Sequence, residues 1–513
     1  MFVPTFSALL RRGIVADATP SLATSINALL SRPRPPFSPP LSVYAGFDPT
    51  APSLHLGHAA VLVLLLRLQR AGLRPIGLIG GATALIGDPT GRSTDRPLLG
   101  EAAASENGAR LRACLQRVLG GDCAVVDNAD FYQGMGAVAF LRDVGRHFRL
   151  QTLLARDSVR GRMGWAGGPG GGAAGAGGGA SEGSAEGMSF TEFSYPLLQA
   201  HDFSVLHATM GAALQVGGSD QWGNITAGVE HIRRLRSGGA GGAGDGDGGE
   251  LNGGVLPAHG ATVPLLVDAA GRKFGKSAAN VPVWLSEELT SHLALWQHLA
   301  GVGDAEAPRL LAQLTLLEEG EVAAVVEEGA RAPERKAAQV RLADEVVALL
   351  RGRAAADAAR RTSSLLFSGS AMWGGGAVGH TAVEDGGGGG GGGHYLPQRA
   401  ALPTLRASDL RDLAAAGQLP VARVAGAAVD GGAVDPLAAL LAAGVCKSKS
   451  EAKRLLEAGG VYWNWERVSP REGGWAVAGS VRVRAAARGD FLEGAAAVVS
   501  TGKKRMALVL LEG

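Results

Sequence analysis

Cysteine is scarce in this chain of 513 residues: Cys114, Cys123 and Cys446 are all it has. None stands in a Cys-x-x-Cys or Cys/His ligand spacing, which argues against a zinc site and a disulfide framework and fits a reducing compartment. An excess of one charge is lacking too. The formal net charge is +2, so the whole chain does not advertise nucleic-acid binding and any basic surface must be local. No apolar run reaches the roughly 20 residues of a membrane-spanning helix. "AAVLVLLLRLQRAG", from Ala59, carries Arg67 and Arg70 and reads as a buried helix, so no membrane partner is expected. The opening "MFVPTFSALLRRG" has an apolar patch without a small-residue cleavage pattern.

Glycine is abundant instead. There are 79, about double the usual share of roughly 7%. Much of the excess sits in residues 164–187, 237–254 and 386–393. These tracts carry too little apolar surface to pack, so disorder is expected. The first two interrupt one domain; the third reads as a linker.

Around the tracts the chain has clear periodicity. "SVYAGF" (Ser42–Phe47) predicts a short buried strand, "FDPTAPS" a turn, and Ser53 a cap for a helix beginning near Leu54. "RPIGLIGGATALIG" supplies a second β-type run, with Asp88 at its end. Strand, helix and strand in succession form a βαβ unit and imply a parallel sheet. A helix follows over Glu101–Leu119, then "AVVDNADF", read as a strand ending in carboxylates. From Glu287 to about Leu366 the pattern is helical and charged. A small C-terminal unit begins near Pro436 with two short helices, Leu437–Ala443 and Lys447–Ala458, followed by strand signals. It holds 12 basic and 7 acidic residues.

Five stretches carry chemistry. In "HLGH" (His55–His58), a helix start offers unpaired N–H groups to a phosphate. Gly57 there lets a flat ring approach the backbone, and two imidazoles three residues apart share a face. "KFGKS" (Lys273–Ser277) puts two lysines and a hydroxyl on a glycine loop, suited to clamping a polyphosphate. "QVGGSDQWGN" (Gln215–Asn224) is a polar loop beyond a strand end, where open α/β sheets bind ligands. In "SFTEFSYPLLQAHDF", Tyr195, Gln199 and Asp202 fall on one helix face. "GDPTGRSTDR" places Arg92 and Arg96 after Asp88. Each is weak alone.

Together, in this order, they resemble the tyrosyl-tRNA synthetase family of bacterial and organellar type. "HLGH" and "KFGKS" are similar to the two class I signatures. "YAGFDPT", "IGDPTGR", "SFTEFSYPLLQ" and "GGSDQWGNI" are similar to segments particular to the tyrosine enzymes. "APERKAAQVRLADEV" and "LFSG" resemble their helical anticodon-side domain, and "CKSKSEAKRLLEAGGVYWN" resembles an S4-type RNA-binding module. The resemblance implies a doubly wound, Rossmann-like α/β catalytic domain over 1–286, a helical anticodon-binding domain over 287–383, a connecting segment over 384–435, and a small α+β S4-like domain over 436–513.

It further implies that tyrosine and ATP give tyrosyl-adenylate, whose tyrosyl group passes to tRNA(Tyr). The tyrosine carboxylate is already a nucleophile, so the task is alignment and charge stabilisation rather than base catalysis. Thr50 and His55 are expected at the transition-state phosphates. Lys273, Lys276 and Ser277 are expected to close over pyrophosphate with Arg92 and Arg96. Asp48, Gly57, His58, Gly218 and Asp220 are placed at ATP, and magnesium on ATP oxygens rather than in a protein cage.

Tyr44 and Asp202 are the candidates for the substrate hydroxyl, Asp88, Tyr195 and Gln199 for its ammonium group, and Gln221 for its carboxylate. Buried partners for a hydroxyl reject a substrate that lacks it, a rule for which tyrosyl enzymes are themselves the standard illustration. Lys447, Lys449, Lys453 and Arg454 are expected on RNA phosphates. The resemblance also implies a homodimer and, with the glycine tracts, an organellar location (mitochondrion or chloroplast), a cytoplasmic one being the alternative. The rival readings are an RNA-binding protein without catalysis and the related tryptophan enzyme.

Overall fold

In the computed structural model, the described residues are 6–31, 40–90, 99–156, 159–160, 188–236, 256–267, 274–275, 281–367 and shorter stretches between 421 and 512. The glycine tracts, Arg92, Arg96, Lys273, Lys276, Ser277 and Lys447 lie outside them. The chain divides into two compact units, one of residues 1–286 with 309–319, the other of 287–308 with 320–513.

The first unit is built on five parallel strands: β1 (Ser42–Phe47), β2 (Arg74–Ile79), β3 (Ala124–Asp127), β4 (Ala212–Gly218) and β5 (His259–Val263). Their order is β3-β2-β1-β4-β5. Parallel neighbours require crossovers. The helices Ala59–Arg70 and Glu101–Leu119 make those on one side of β1, and Trp222–Arg236 makes the β4-to-β5 crossover. Five of the six β1 residues are buried, as expected for a strand covered on both faces. The chain builds outward from β1 through β2 to β3, then returns to β4 on the other side. A crevice therefore opens between the C-terminal ends of β1 and β4, where such sheets bind ligands.

Two local expectations are corrected. Ser53 caps no helix: its hydroxyl bonds the Leu54 carbonyl and accepts from the Ser286 amide. A 3-10 turn, Leu56–His58, precedes the helix, which starts at Ala59. Asp88 does not end a strand. β2 stops at Ile79, and Thr83–Ile86 is a single helical turn. The Gly80–Gly81 pair follows the strand directly. A Cβ on Gly80 would overlap the Asp48 carboxylate, and one on Gly81 the Asp127 carboxylate.

Residues 309–319 belong to the first unit although they lie beyond the expected boundary at 286. Arg67, 2% exposed, donates from the core to the carbonyls of Thr315 (2.8 Å) and Leu317 (3.0 Å). Burial lowers its pKa to about 10.

The second unit contains the helices His292–Ala300, Ala337–Arg351 and Arg353–Phe367. They are tied by Trp296, whose indole N–H donates to Asp344 at 2.8 Å, while Asp344 pairs with Arg360 at 2.8 Å. Further along, the strands Val461–Trp463, Glu466–Arg471, Gly474–Val477, Ala496–Thr501 and Arg505–Glu512 join a six-stranded sheet. One of its edge strands is Val421–Ala425, parallel to Arg505–Glu512. That strand falls within the stretch read as a connecting segment, so the C-terminal fold reaches back past 436. The helix beside the sheet is Lys449–Glu457; of the expected Leu437–Ala443 helix only Leu440 and Leu441 are described as helical. No helix among the described residues is long and apolar enough to cross a membrane.

Candidate active site

The crevice is a cavity of about 550 Å3. Thirteen residues singled out in the sequence line it: Tyr44, Asp48, Thr50, His55, Gly57, His58, Asp88, Tyr195, Gln199, Asp202, Gly218, Asp220 and Gln221. They come from β1 and the turn after it, the "HLGH" turn, the loop after Ile86, the Phe190–Met210 helix and the loop after β4.

The mouth is built around "HLGH". The Leu56 amide donates to the Val283 carbonyl at 2.8 Å and the Leu285 amide to Leu54 at 2.7 Å, tying the turn to residues 283–285. His55 Nδ1 accepts from the Gly57 amide at 3.1 Å, and His58 Nδ1 accepts from the His55 amide at 3.2 Å. With its Nδ1 accepting, either ring in its neutral form carries its proton on Nε2. The rings stack with centroids 4.0 Å apart. Burial, with His55 adding to it, lowers the His58 pKa to about 3, so this donor is uncharged at neutral pH.

A Cβ on Gly57 would stand 2.8 Å from His55 Cε1. Gly275, the glycine of "KFGKS", has φ +104° and packs against Gly57, its Cβ direction ending 3.1 Å from the Gly57 nitrogen. Gly275 and Phe274 both line the cavity. The described part of the second signature therefore meets the first.

The floor is a chain of buried polar groups. Tyr195 donates to Asp48 Oδ2 at 3.0 Å; Thr83 donates to Asp48 Oδ1 at 2.8 Å. Asn128 donates to Thr83 Oγ1 at 3.1 Å and to Asp202 Oδ2 at 2.9 Å. Tyr132 donates to Asp202 Oδ1 at 2.8 Å. Asp48, placed at ATP in the sequence reading, is thus joined to Tyr195, a residue placed at the amino acid. On the opposite wall Gln221 donates to Asp88 Oδ2 at 2.6 Å, and Asn224 donates to Gln221 Oε1 at 3.2 Å.

Asp202 is 2% exposed. Burial pushes its pKa up to about 7, against the donors Asn128 and Tyr132, with Asp48 and Asp127 adding to the rise. Tyr44 is 1% exposed. Burial and the Asp202 charge raise its pKa well above the ordinary phenol value. Its hydroxyl has no hydrogen-bond partner among the described residues, and neither has Gln215 Oε1, on the β4 residue paired with Tyr44. Buried polar atoms are normally satisfied. Two orphans lining one cavity mark a place where a polar ligand completes the bonding.

Thr83, Tyr132 and Asn128 were missed in the sequence, and Gln215 was quoted there without a role. Asn128 and Tyr132 stand on a 3-10 turn, Asn128–Tyr132, directly after β3. The signal was "DN" at a strand end in a parallel sheet, the position where such sheets place ligand-binding residues.

The chain's relatives agree with this geometry. Residues 38–368 match the family described as tRNA synthetases class I (W and Y), and residues 436–472 match the S4 domain. A tyrosine–tRNA ligase of Nocardia farcinica is 36% identical over 98% of this chain and 97% of its own length. One of Geobacillus stearothermophilus is 38% identical over 67% of this chain and 72% of its own. A C-terminally truncated mitochondrial tyrosyl-tRNA synthetase of Aspergillus nidulans superposes with a TM-score of 0.56 at 29% identity, covering 70% of this chain and 93% of that one. The class I match spans the unit that holds the cavity and the S4 match lies beyond it, and the chain belongs to the tyrosine–tRNA ligase family of class I aminoacyl-tRNA synthetases.

Proposed function

We propose that this chain activates L-tyrosine with ATP and transfers it to tRNA(Tyr), and that the cavity divides the work between floor and mouth. A tyrosine carboxylate oxygen attacks the α-phosphorus and pyrophosphate leaves. A ribose hydroxyl of the tRNA 3′ end then attacks the carbonyl and AMP leaves. The single observation that carries this reading is the pair Tyr44 and Asp202: a buried phenol without a partner among the described residues beside a buried carboxylate with lone pairs to spare. A substrate hydroxyl bonds both.

The ammonium group falls to Asp88, Tyr195 and Gln199, and the carboxylate to Gln221. At the mouth, His55 and His58 offer their Nε2–H groups to phosphate oxygens, and Thr50 lines the same cavity. Gly57, Gly218 and Asp220 take the adenosine. Lys273, Lys276, Ser277, Arg92 and Arg96 keep their expected pyrophosphate roles, on the sequence alone. Magnesium would ride on the nucleotide's oxygens, as this ion does where it binds with substrate phosphates.

The tRNA is held in part by the S4-like helix, on which Lys449, Lys453 and Arg454 are exposed. A homodimer is supported by four exposed apolar side chains, Val138, Leu141, Leu150 and Phe190. They stand on, or directly before, the same helical segments that supply the apolar cluster of Val144, Leu153 and Leu197, and exposed apolar surface of this kind marks interfaces. An organellar address rests on the likeness to a mitochondrial enzyme, with bacterial relatives matching as well; imaging of the tagged full-length protein tests it. The test of the activity is exchange of labelled pyrophosphate into ATP. Tyrosine alone among the amino acids should drive it; exchange driven by tryptophan, or by none, refutes the reading.

A further inference from the structure

Tyr132 lies outside every stretch that marked the chain's family, yet it touches the residue on which substrate reading turns. Its hydroxyl donates to Asp202 Oδ1 at 2.8 Å and lies 3.0 Å from the Leu198 carbonyl oxygen. A phenol has one proton to give, so these acceptors compete. With Asp202 ionised, the charge-assisted bond to the carboxylate wins. With Asp202 protonated, the carboxyl O–H can donate to Tyr132, whose own proton turns to Leu198. The ionised form is the stronger acceptor for an incoming hydroxyl: both Asp202 oxygens are then free of protons, whereas the protonated form gives one of them up to an O–H donor.

We infer that Tyr132 is a positioning and specificity-determining residue: by donating to Oδ1 it keeps Asp202 an acceptor and so sets the direction of the hydrogen bonds across the substrate phenol. Tyr44 then donates to the phenol oxygen, and the phenol donates to Asp202. The inference rests on the reading of this cavity as a tyrosine site.

The setting makes one donor decisive. Asp202 faces carboxylates from two elements, Asp48 beyond β1 and Asp127 at the end of β3, as well as Tyr44 on β1. Tyr195, on its own helix, also lies within reach of its charge. All of these oppose or fail to favour ionisation. Asn128 and Tyr132 are the side chains that favour it by hydrogen bonding. Asn128 also serves Thr83, which leaves Tyr132 as the donor whose loss isolates the effect. The ring of Tyr132 packs 5.5 Å from that of His201, whose pKa burial lowers, so no cation from that side replaces the lost proton.

The test is Tyr132→Phe in the full-length chain, read by pyrophosphate exchange with tyrosine, phenylalanine and 4-fluorophenylalanine across the neutral pH range. The kcat/KM for tyrosine should fall about tenfold while that for phenylalanine holds, so the ratio of the two falls by the same factor. The acid limb of the tyrosine profile should move up by about one pH unit. 4-Fluorophenylalanine, which can only accept, should gain on phenylalanine because a neutral Asp202 can donate to it. The KM for ATP should stay put, which reports an intact mouth. Should the variant not fold, Tyr132→Met keeps apolar bulk without a donor and is read in the same way. An unchanged tyrosine-to-phenylalanine ratio with an unmoved acid limb overturns the inference. So does an equal fall for both amino acids, the mark of a merely structural role. Wild-type protein inert with tyrosine would instead remove the reading of the cavity itself.

Discussion

Asp202→Asn should make the protein more stable at pH 8 and less active. Asp202 is 2% exposed, and its pKa is pushed from 3.8 up to about 7 by burial. Each unit is worth about 1.4 kcal/mol, so holding the ionised form in the fold costs about 4 kcal/mol at the upper bound. The sign follows from the direction. The folded pKa lies above the unfolded one, so the cost is absent below about pH 4, grows through the interval up to about 7 and is complete above it.

Asparagine removes the charge and keeps an oxygen for Tyr132. Its amide, however, faces the Asn128 amide and loses that bond, a penalty of about 1–2 kcal/mol. The net gain at pH 8 is then about 2 kcal/mol, and at pH 4 it should vanish or reverse. Thermal melts of the full-length wild type and variant at both pH values, following the transition of the first unit, measure it. Equal or lower stability at pH 8, with no pH dependence of the difference, would refute the claim that Asp202 is a buried charge maintained for function. Stability gained by removing a functional group at the expense of activity is the expected pattern for such sites.

Three further outcomes follow from the same geometry. Tyr44→Phe removes a buried hydroxyl that has no partner among the described residues, so melting should show a stability unchanged or raised by about 1 kcal/mol, while exchange assays show tyrosine losing most of its advantage over phenylalanine. Gly57→Ala puts a methyl 2.8 Å from His55 Cε1; kinetics should show a raised KM for ATP, with the tyrosine-to-phenylalanine ratio intact. Removing the chain from residue 421 onward should spare adenylate formation and weaken tRNA charging in a salt-dependent way. The cut belongs at 421 rather than 436 because Val421–Ala425 pairs with the strand Arg505–Glu512.

Much of this site was legible because it lies at strand ends and helix starts, where residue type and backbone geometry are linked. The "HLGH" turn and the Tyr195 face of its helix, singled out by local pattern, and Tyr44, singled out by the family resemblance, all line the cavity. What escaped was non-local. Tyr132 and Asp202 are 70 positions apart and Asn128 and Asp202 are 74 apart, and no spacing rule connects them. The Thr83–Ile86 turn read as strand because its apolar residues have β character; the competing fact, two carboxylates that need Gly80 and Gly81 bare, is visible only in three dimensions. Gln215 stood in a quoted stretch, but its place beside Tyr44 depends on the β1–β4 register.

The most direct measurement of the central claim, that a buried phenol and carboxylate at the floor of one cavity select a hydroxylated aromatic substrate, is amino-acid-dependent pyrophosphate exchange by wild type, Tyr44→Phe and Asp202→Asn, each with tyrosine and phenylalanine. The account predicts that wild type prefers tyrosine strongly and that both variants lose tyrosine activity while their phenylalanine activity is little changed. Variants that keep the wild-type preference would contradict it.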